Sequence, residues 1–195
     1  MLASLAIFVL TTGAQAQEVS GPDARLAAFE HFCLPNRFDP AATISGFKEG
    51  GWSVSTADAN PELAAVMQLD QDLASKAEAV SETTVLWDGS LFATVNVMTA
   101  DISENEVARY ATCAVWDFEA ASGIPDEQAS SLTKTEPRVR LDQPYGRIVQ
   151  WNLSGILPGA GNLQASFFPS GSPAAAKSGF TGAAVLLTSD LDARP

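Results

Sequence analysis

Apolar and polar positions divide this chain into a helical first part and a strand-rich second part. Asp23 begins a stretch with apolar residues at helical spacing, and Pro35-Asn36 ends it. Asp39-Pro40 and Asn60-Pro61 each place a capping side chain before a proline, which predicts two further helices. The residues predicted to face the core are, helix by helix, Leu26, Phe29 and Cys33; Ala41, Ile44 and Phe47; and Leu63, Val66, Met67 and Leu73.

From Glu82 onward the apolar period changes to two, which indicates β-strands. Asp88-Gly89 between two such runs predicts a hairpin, and a third strand over 109–118 puts Cys113 and Val115 on one face. Further strands are predicted over 139–141, 147–153, 163–168 and 183–188. The segment Pro169–Gly179, rich in Pro, Ser, Gly and Ala, is predicted to be a surface loop. Helices followed by hairpins predict an α+β fold with the N-terminal helices packed on one face of an antiparallel sheet.

The N-terminal sixteen residues have the pattern of a secretory signal peptide. An apolar run over 2–10 is followed by Ala14-Gln15-Ala16, small residues that suit cleavage after Ala16. The run is shorter than the roughly 20 residues that a membrane span needs. No Lys or Arg precedes it, so the signal is atypical or its true start lies upstream. Residues 17–195 are predicted to form a single exported domain of a bacterial periplasmic or secreted protein.

Both cysteines lie in the exported part, where an oxidising compartment favours pairing. A Cys33–Cys113 disulfide would fix the first helix to the third strand. Two buried free thiols are the alternative. With one histidine and two cysteines, a zinc site would lack enough ligands. No other metal site and no cofactor is predicted.

Charge limits the partners of the chain. A net charge of −12 opposes binding to phosphate backbones and adsorption to anionic membrane surfaces. The acidic residues concentrate between 55 and 106, and a solvated face explains them better than a docking surface for a basic partner. Arg138, Arg140 and Arg147 form a candidate anion-binding patch, although Glu136 and Asp142 lie among them.

The sequence predicts no catalytic residues. His31 lies two residues before Cys33, a spacing that points the two side chains to different sides of a helix. The Ser-x-x-Lys spacing at Ser45 and Ser131 lacks its companion motifs. A glycosidase would need only two carboxylates, and the pairs Asp70/Asp72 and Glu104/Glu106 are candidates for that chemistry.

Three functional hypotheses remain. The first is a non-enzymatic exported domain that binds a partner protein or an envelope component through a sheet face or the loops around Phe167, Phe168 and Phe180. The second is a small hydrolase of cell-wall or sugar substrates, which requires a buried carboxyl group. The third is a carrier of a small apolar ligand, which requires an apolar pocket of several hundred Å³.

Processing and oxidation can be tested together by mass spectrometry. For protein purified from its own host, we expect a non-reduced mass that begins at Gln17 and is lighter by two hydrogens than the dithiol. Residues 1–16 still attached, or two free thiols, would contradict export.

Overall fold

Eight antiparallel strands form one sheet. The computed structural model describes residues 21–103, 106–153, 156–157 and 159–193; the predicted signal peptide, residues 1–16, lies outside them. The strands are β1 Ser53–Ser55, β2 Ala79–Trp87, β3 Phe92–Ser103, β4 Glu106–Asp117, β5 Val139–Gln143, β6 Gly146–Asn152, β7 Ala160–Phe168 and β8 Gly182–Asp190. Their order across the sheet is β1-β2-β3-β4-β8-β7-β6-β5.

Five α-helices accompany the sheet in the described part of the chain. They are α1 Ala24–Ala28, which continues as a π-helical turn over Phe29–Cys33, α2 Pro40–Glu49, α3 Pro61–Lys76, α4 Asp126–Thr133 and α5 Pro173–Ser178. Asp23, Asp39 and Asn60 cap the first three through their side chains, as predicted. The predicted α+β fold is confirmed.

The first two helices, α1 and α2, pack on the face of the sheet that carries Cys113, Val115, Val185 and Leu187, the disulfide face. Leu26, Phe29 and Cys33 are buried against it together with Phe47 of α2. α4 joins them, and the Nε1 of Trp151 on β6 donates to Ser130 Oγ at 3.0 Å. The largest buried cluster therefore lies on this side.

The disulfide joins Cys33 to Cys113, as predicted, with their Cα atoms 5.7 Å apart across 80 residues of sequence. Cys113 is opposite Val95 of β3 and Leu187 of β8, so the bond is anchored in the middle of the sheet. This pairing is consistent with a periplasmic or extracellular protein.

A buried ion pair fixes the start of α1. Asp23 caps the helix and binds Arg25, and both side chains are about nine-tenths buried. Arg25 Nη1 also donates to the Ser122 carbonyl oxygen at 2.9 Å, beyond the end of β4. Burial is the largest single influence on the Asp23 carboxyl and raises its pKa, but Arg25 and the backbone N–H donors together lower the pKa below its usual value.

The other face of the sheet carries Ala114, Trp116 and Ala184 and is called the groove face. Leu63, Val66 and Met67 of α3 pack on it beside an aromatic cluster. Phe180 leads into β8 and makes edge contacts with Trp116 and Phe118, with ring centroids 5.4 and 5.7 Å apart. Because α3 lies here, the central strands are covered on both faces.

β8 occupies the position between β4 and β7. The strands before it pair only with neighbours in sequence, which gives one group of β1 to β4 and another of β5 to β7. The last strand therefore joins two separate sets of strands into one sheet.

Three local predictions are wrong, and one helix was not predicted. The segment Pro169–Gly179 is not only loop, because Ser172 caps α5 through Ala175 N and Pro173 takes the first helical position. Leu73 and Ala41 are exposed rather than buried. α4 was not predicted, since Asp126 and Glu127 in its first turn leave little apolar period.

Removing the disulfide should lower the free energy of unfolding. We expect the double variant Cys33→Ala/Cys113→Ala to lose about 4 kcal/mol of unfolding free energy in urea titrations, because the unfolded chain is no longer closed into a loop. The oxidised parent is the control. A loss below about 1 kcal/mol would show that packing alone holds α1 on the sheet.

Candidate functional site

An apolar groove opens on the groove face between α3, α5 and the β5–β6 hairpin. Its volume is about 530 Å³, within the range of small-ligand and peptide sites. It is lined by Leu69 of α3; Leu141, Gln143, Tyr145, Gly146 and Ile148 of the hairpin; Phe168 at the end of β7; and Ala174, Lys177 and Ser178 of α5. These residues are far apart in sequence, and the fold brings them together.

The helical wall of the groove depends on close contact between α3 and α5. Gly179 ends α5 in the left-handed conformation, with φ at +69°, and a Cβ there would stand 2.7 Å from the Ala65 Cβ. Glycine thus lets the two helices meet. Leu69, one turn after Ala65, remains 44% exposed and faces the groove.

The sheet wall comes from the β5–β6 hairpin. Leu141 lies opposite Ile148, and both line the groove, with Tyr145 at the turn between them. Leu141 is 52% exposed and Tyr145 is 46% exposed. Gly146 fits against the ring of Phe168, which a Cβ at this position would overlap.

The three phenylalanines predicted to contact a partner take different positions. Phe168 lines the groove, and Phe180 packs behind it, with ring centroids 5.5 Å apart. Phe180 is only 3% exposed, so it supports the groove as part of the core. Phe167 points to the disulfide face beside Gly123 and Arg147. The structure therefore brings Phe168 and Phe180 together and separates Phe167 from them.

Lys177 is the one charged residue among those lining the groove. Gln143, Tyr145 and Ser178 add neutral hydrogen-bonding groups, and the rest of the lining is apolar. The groove can therefore take apolar groups from a ligand, and the ammonium group can meet an anionic group of that ligand.

The predicted anion-binding patch already contains a carboxylate from the protein itself. Arg140 and Arg147 each bring an Nη2 atom to 2.6 Å from a different oxygen of Asp126. The Asp126 side chain is largely buried at the start of α4. Arg138, before β5, is exposed. Binding of an external anion by this patch stays a prediction, and such an anion would compete with Asp126 for the two arginines.

Of the candidate catalytic carboxylates, Asp70 and Asp72 have different surroundings. Asp70 lies on the sheet-facing side of α3 and is half-buried, whereas Asp72 is exposed and accepts a hydrogen bond from Gln68 at 2.8 Å. Glu106 is exposed, and Glu104 lies outside the described residues. Burial raises the pKa of Asp70 above its usual value. Asp70 thus has one property of a general acid, while Asp72 is directed elsewhere.

Other features add less to a site. His31 is exposed and rests its ring edge on Phe32. A cleft of about 620 Å³ lies beside Gly21, where the described chain begins, and Glu30 and Glu127 are among its lining residues.

Among described residues, no three His, Cys, Asp or Glu side chains are placed to hold a metal. No described helix is long and apolar enough to cross a membrane.

The chain matches no protein-family model, and comparison with curated proteins and with solved structures finds no match either. The functional argument therefore rests on the groove and its surroundings.

The half-buried position of Asp70 leads to a prediction for the melting temperature. The pKa of Asp70 is higher in the folded protein than in the unfolded chain, so the ionised carboxylate lowers the free energy of unfolding at neutral pH. This destabilisation disappears at low pH, where the carboxyl group is protonated in both the folded and the unfolded state. We expect Asp70→Asn to raise the melting temperature at pH 7 and to change it less at pH 3.

Asp72→Asn, on the exposed side of the same helix, is the matched control and should change the unfolding free energy by less than about 0.5 kcal/mol. A lower melting temperature for Asp70→Asn at pH 7 would mean that the carboxylate stabilises α3.

Proposed function

We propose that this protein is an exported, non-enzymatic domain that binds an apolar segment of a periplasmic or cell-envelope protein in its groove. The observation that carries the proposal is that three exposed large side chains line one concave site. Leu69, Leu141 and Tyr145 are each more than two-fifths exposed and line the same groove. Concave apolar surfaces of this kind on soluble domains mark sites of interaction.

The rigidity of the groove supports a binding role. Phe168 forms part of its lining and rests on Phe180, which is itself fixed against Trp116 in the core. Contact between Gly179 and Ala65 fixes the second helix of the wall. A ligand therefore meets a site that is already formed, so binding spends little free energy on ordering the protein.

Carriage of a small apolar ligand is the second candidate, and the groove volume of about 530 Å³ favours it. A native mass spectrum of protein from its own host separates the two functions. A retained non-covalent small molecule, lost in Leu141→Glu, would identify a carrier. The hydrolase hypothesis has less support, because Asp72 does not share a site with Asp70.

A peptide selection tests the proposal. A library of random twelve-residue peptides is displayed against the oxidised protein, and enriched peptides are measured by fluorescence anisotropy. We expect Leu141→Glu to weaken their binding at least tenfold, about 1.4 kcal/mol, because it puts a charge into the apolar groove.

Val80→Glu is the matched control, since Val80 is a 63% exposed strand residue outside the groove lining. It should leave affinity within about twofold, and both variants should keep the parent melting temperature because neither side chain is buried. Failure to enrich any peptide, or equal binding to Leu141→Glu, would overturn the proposal.

A further inference from the structure

The groove lies directly beside an edge of the sheet. β5 is the last strand in the order and pairs only with β6 among the described strands. In an antiparallel edge strand, alternate residues direct their N–H and C=O groups away from the sheet, where another strand can pair with them. The site therefore combines an apolar groove with free backbone hydrogen-bonding groups.

The register of β5 connects these two features. Leu141 and Gln143 point to the groove face, whereas Arg140 and Asp142 point to the disulfide face. Any strand added beside β5 would follow the same alternation, so every second side chain would stand next to the groove. Five residues of β5 offer a pairing length of about 17 Å.

The charges around the groove favour a particular composition of the added strand. The protein as a whole carries −12, but the one charged residue of the groove lining is Lys177, while the opposite side of β5 carries both signs in Arg140 and Asp142. From residue 143 to 189 there is no acidic residue. Two copies of so acidic a chain repel each other, whereas an acidic side chain at a groove-facing position of a foreign segment would meet Lys177.

We infer that the partner segment binds by strand addition: an extended stretch of another protein pairs with β5 and directs every second side chain to the groove, where apolar side chains fill it and an acidic side chain meets Lys177. This inference rests on the proposed function, since it specifies how the groove is filled. Backbone pairing supplies part of the affinity, and the groove supplies the side-chain preference.

The enriched peptides provide the first readout. Strand addition predicts that every second residue is apolar, with an acidic residue at one position of this same set, whereas a helix in the groove would show apolar residues three and four positions apart. The tightest peptide is then remade with single N-methyl groups along its backbone. Methylation should weaken binding at least tenfold at alternate positions and within about twofold between them, because only half of the N–H groups face β5.

Variants of the protein provide the second readout. Lys177→Glu should weaken the binding of an acidic peptide about three- to fivefold, and added salt should reduce the difference in affinity between variant and parent. Lys48→Glu, on α2 at the disulfide face, is the control and should have no such effect. Hydrogen exchange at the amides of β5 should slow when the peptide is bound.

The outcomes separate the two proposals. Peptides that depend on Leu141 but show helical spacing, or no alternation on N-methylation, would overturn strand addition and leave the groove as the binding site. Peptides that bind the Leu141→Glu variant as tightly as the parent protein would overturn both the proposed function and strand addition. A dimer of the free protein that Leu141→Glu dissociates would assign the edge to a second copy of this chain instead.

Discussion

The covalent bond between Cys33 and Cys113 connects the end of the first helical segment to β4, a strand that has neighbours on both sides. Leu26 and Phe29 are consequently held on the disulfide face, where α2 and α4 complete the main cluster. On the opposite side of the sheet, α3 covers the central strands, and the region beside β5 keeps a concave apolar surface open to a ligand. The position of the groove thus follows from the way in which the disulfide distributes the helices.

Local chemistry in the sequence was sufficient for most elements. Capping side chains followed by proline marked α2 and α3, Asp88-Gly89 marked the first hairpin, and the two cysteines could be paired by elimination. α5 carries the same cap-and-proline signal in Ser172-Pro173, but its alanine-rich sequence has no apolar period. The cap-and-proline signal was present in this segment, but its content of Pro, Ser, Gly and Ala favoured a loop.

The candidate site could be predicted only in part. Phe168 was identified from its exposed-loop context, whereas Leu69 and Leu141 were not, because a groove between distant elements leaves no local pattern. Leu73 shows the limit of periodicity, since a helix beside a groove exposes apolar residues on its flank as well as burying them beneath it. The ion pairs of Arg140 and Arg147 with Asp126 depended on α4, which the sequence did not indicate.

The place of β8 between β4 and β7 has a consequence for how the chain reaches this structure. Each earlier strand can find its partner within a short stretch of chain, but the two groups of strands have no common strand until the last one arrives. Pairing between β4 and β8 joins residues some seventy positions apart, such as Cys113 with Leu187, and contacts of this range form slowly. During folding the cysteine-bearing strand therefore keeps a free edge until β8 is available, and the groove takes its final shape in the same closing step.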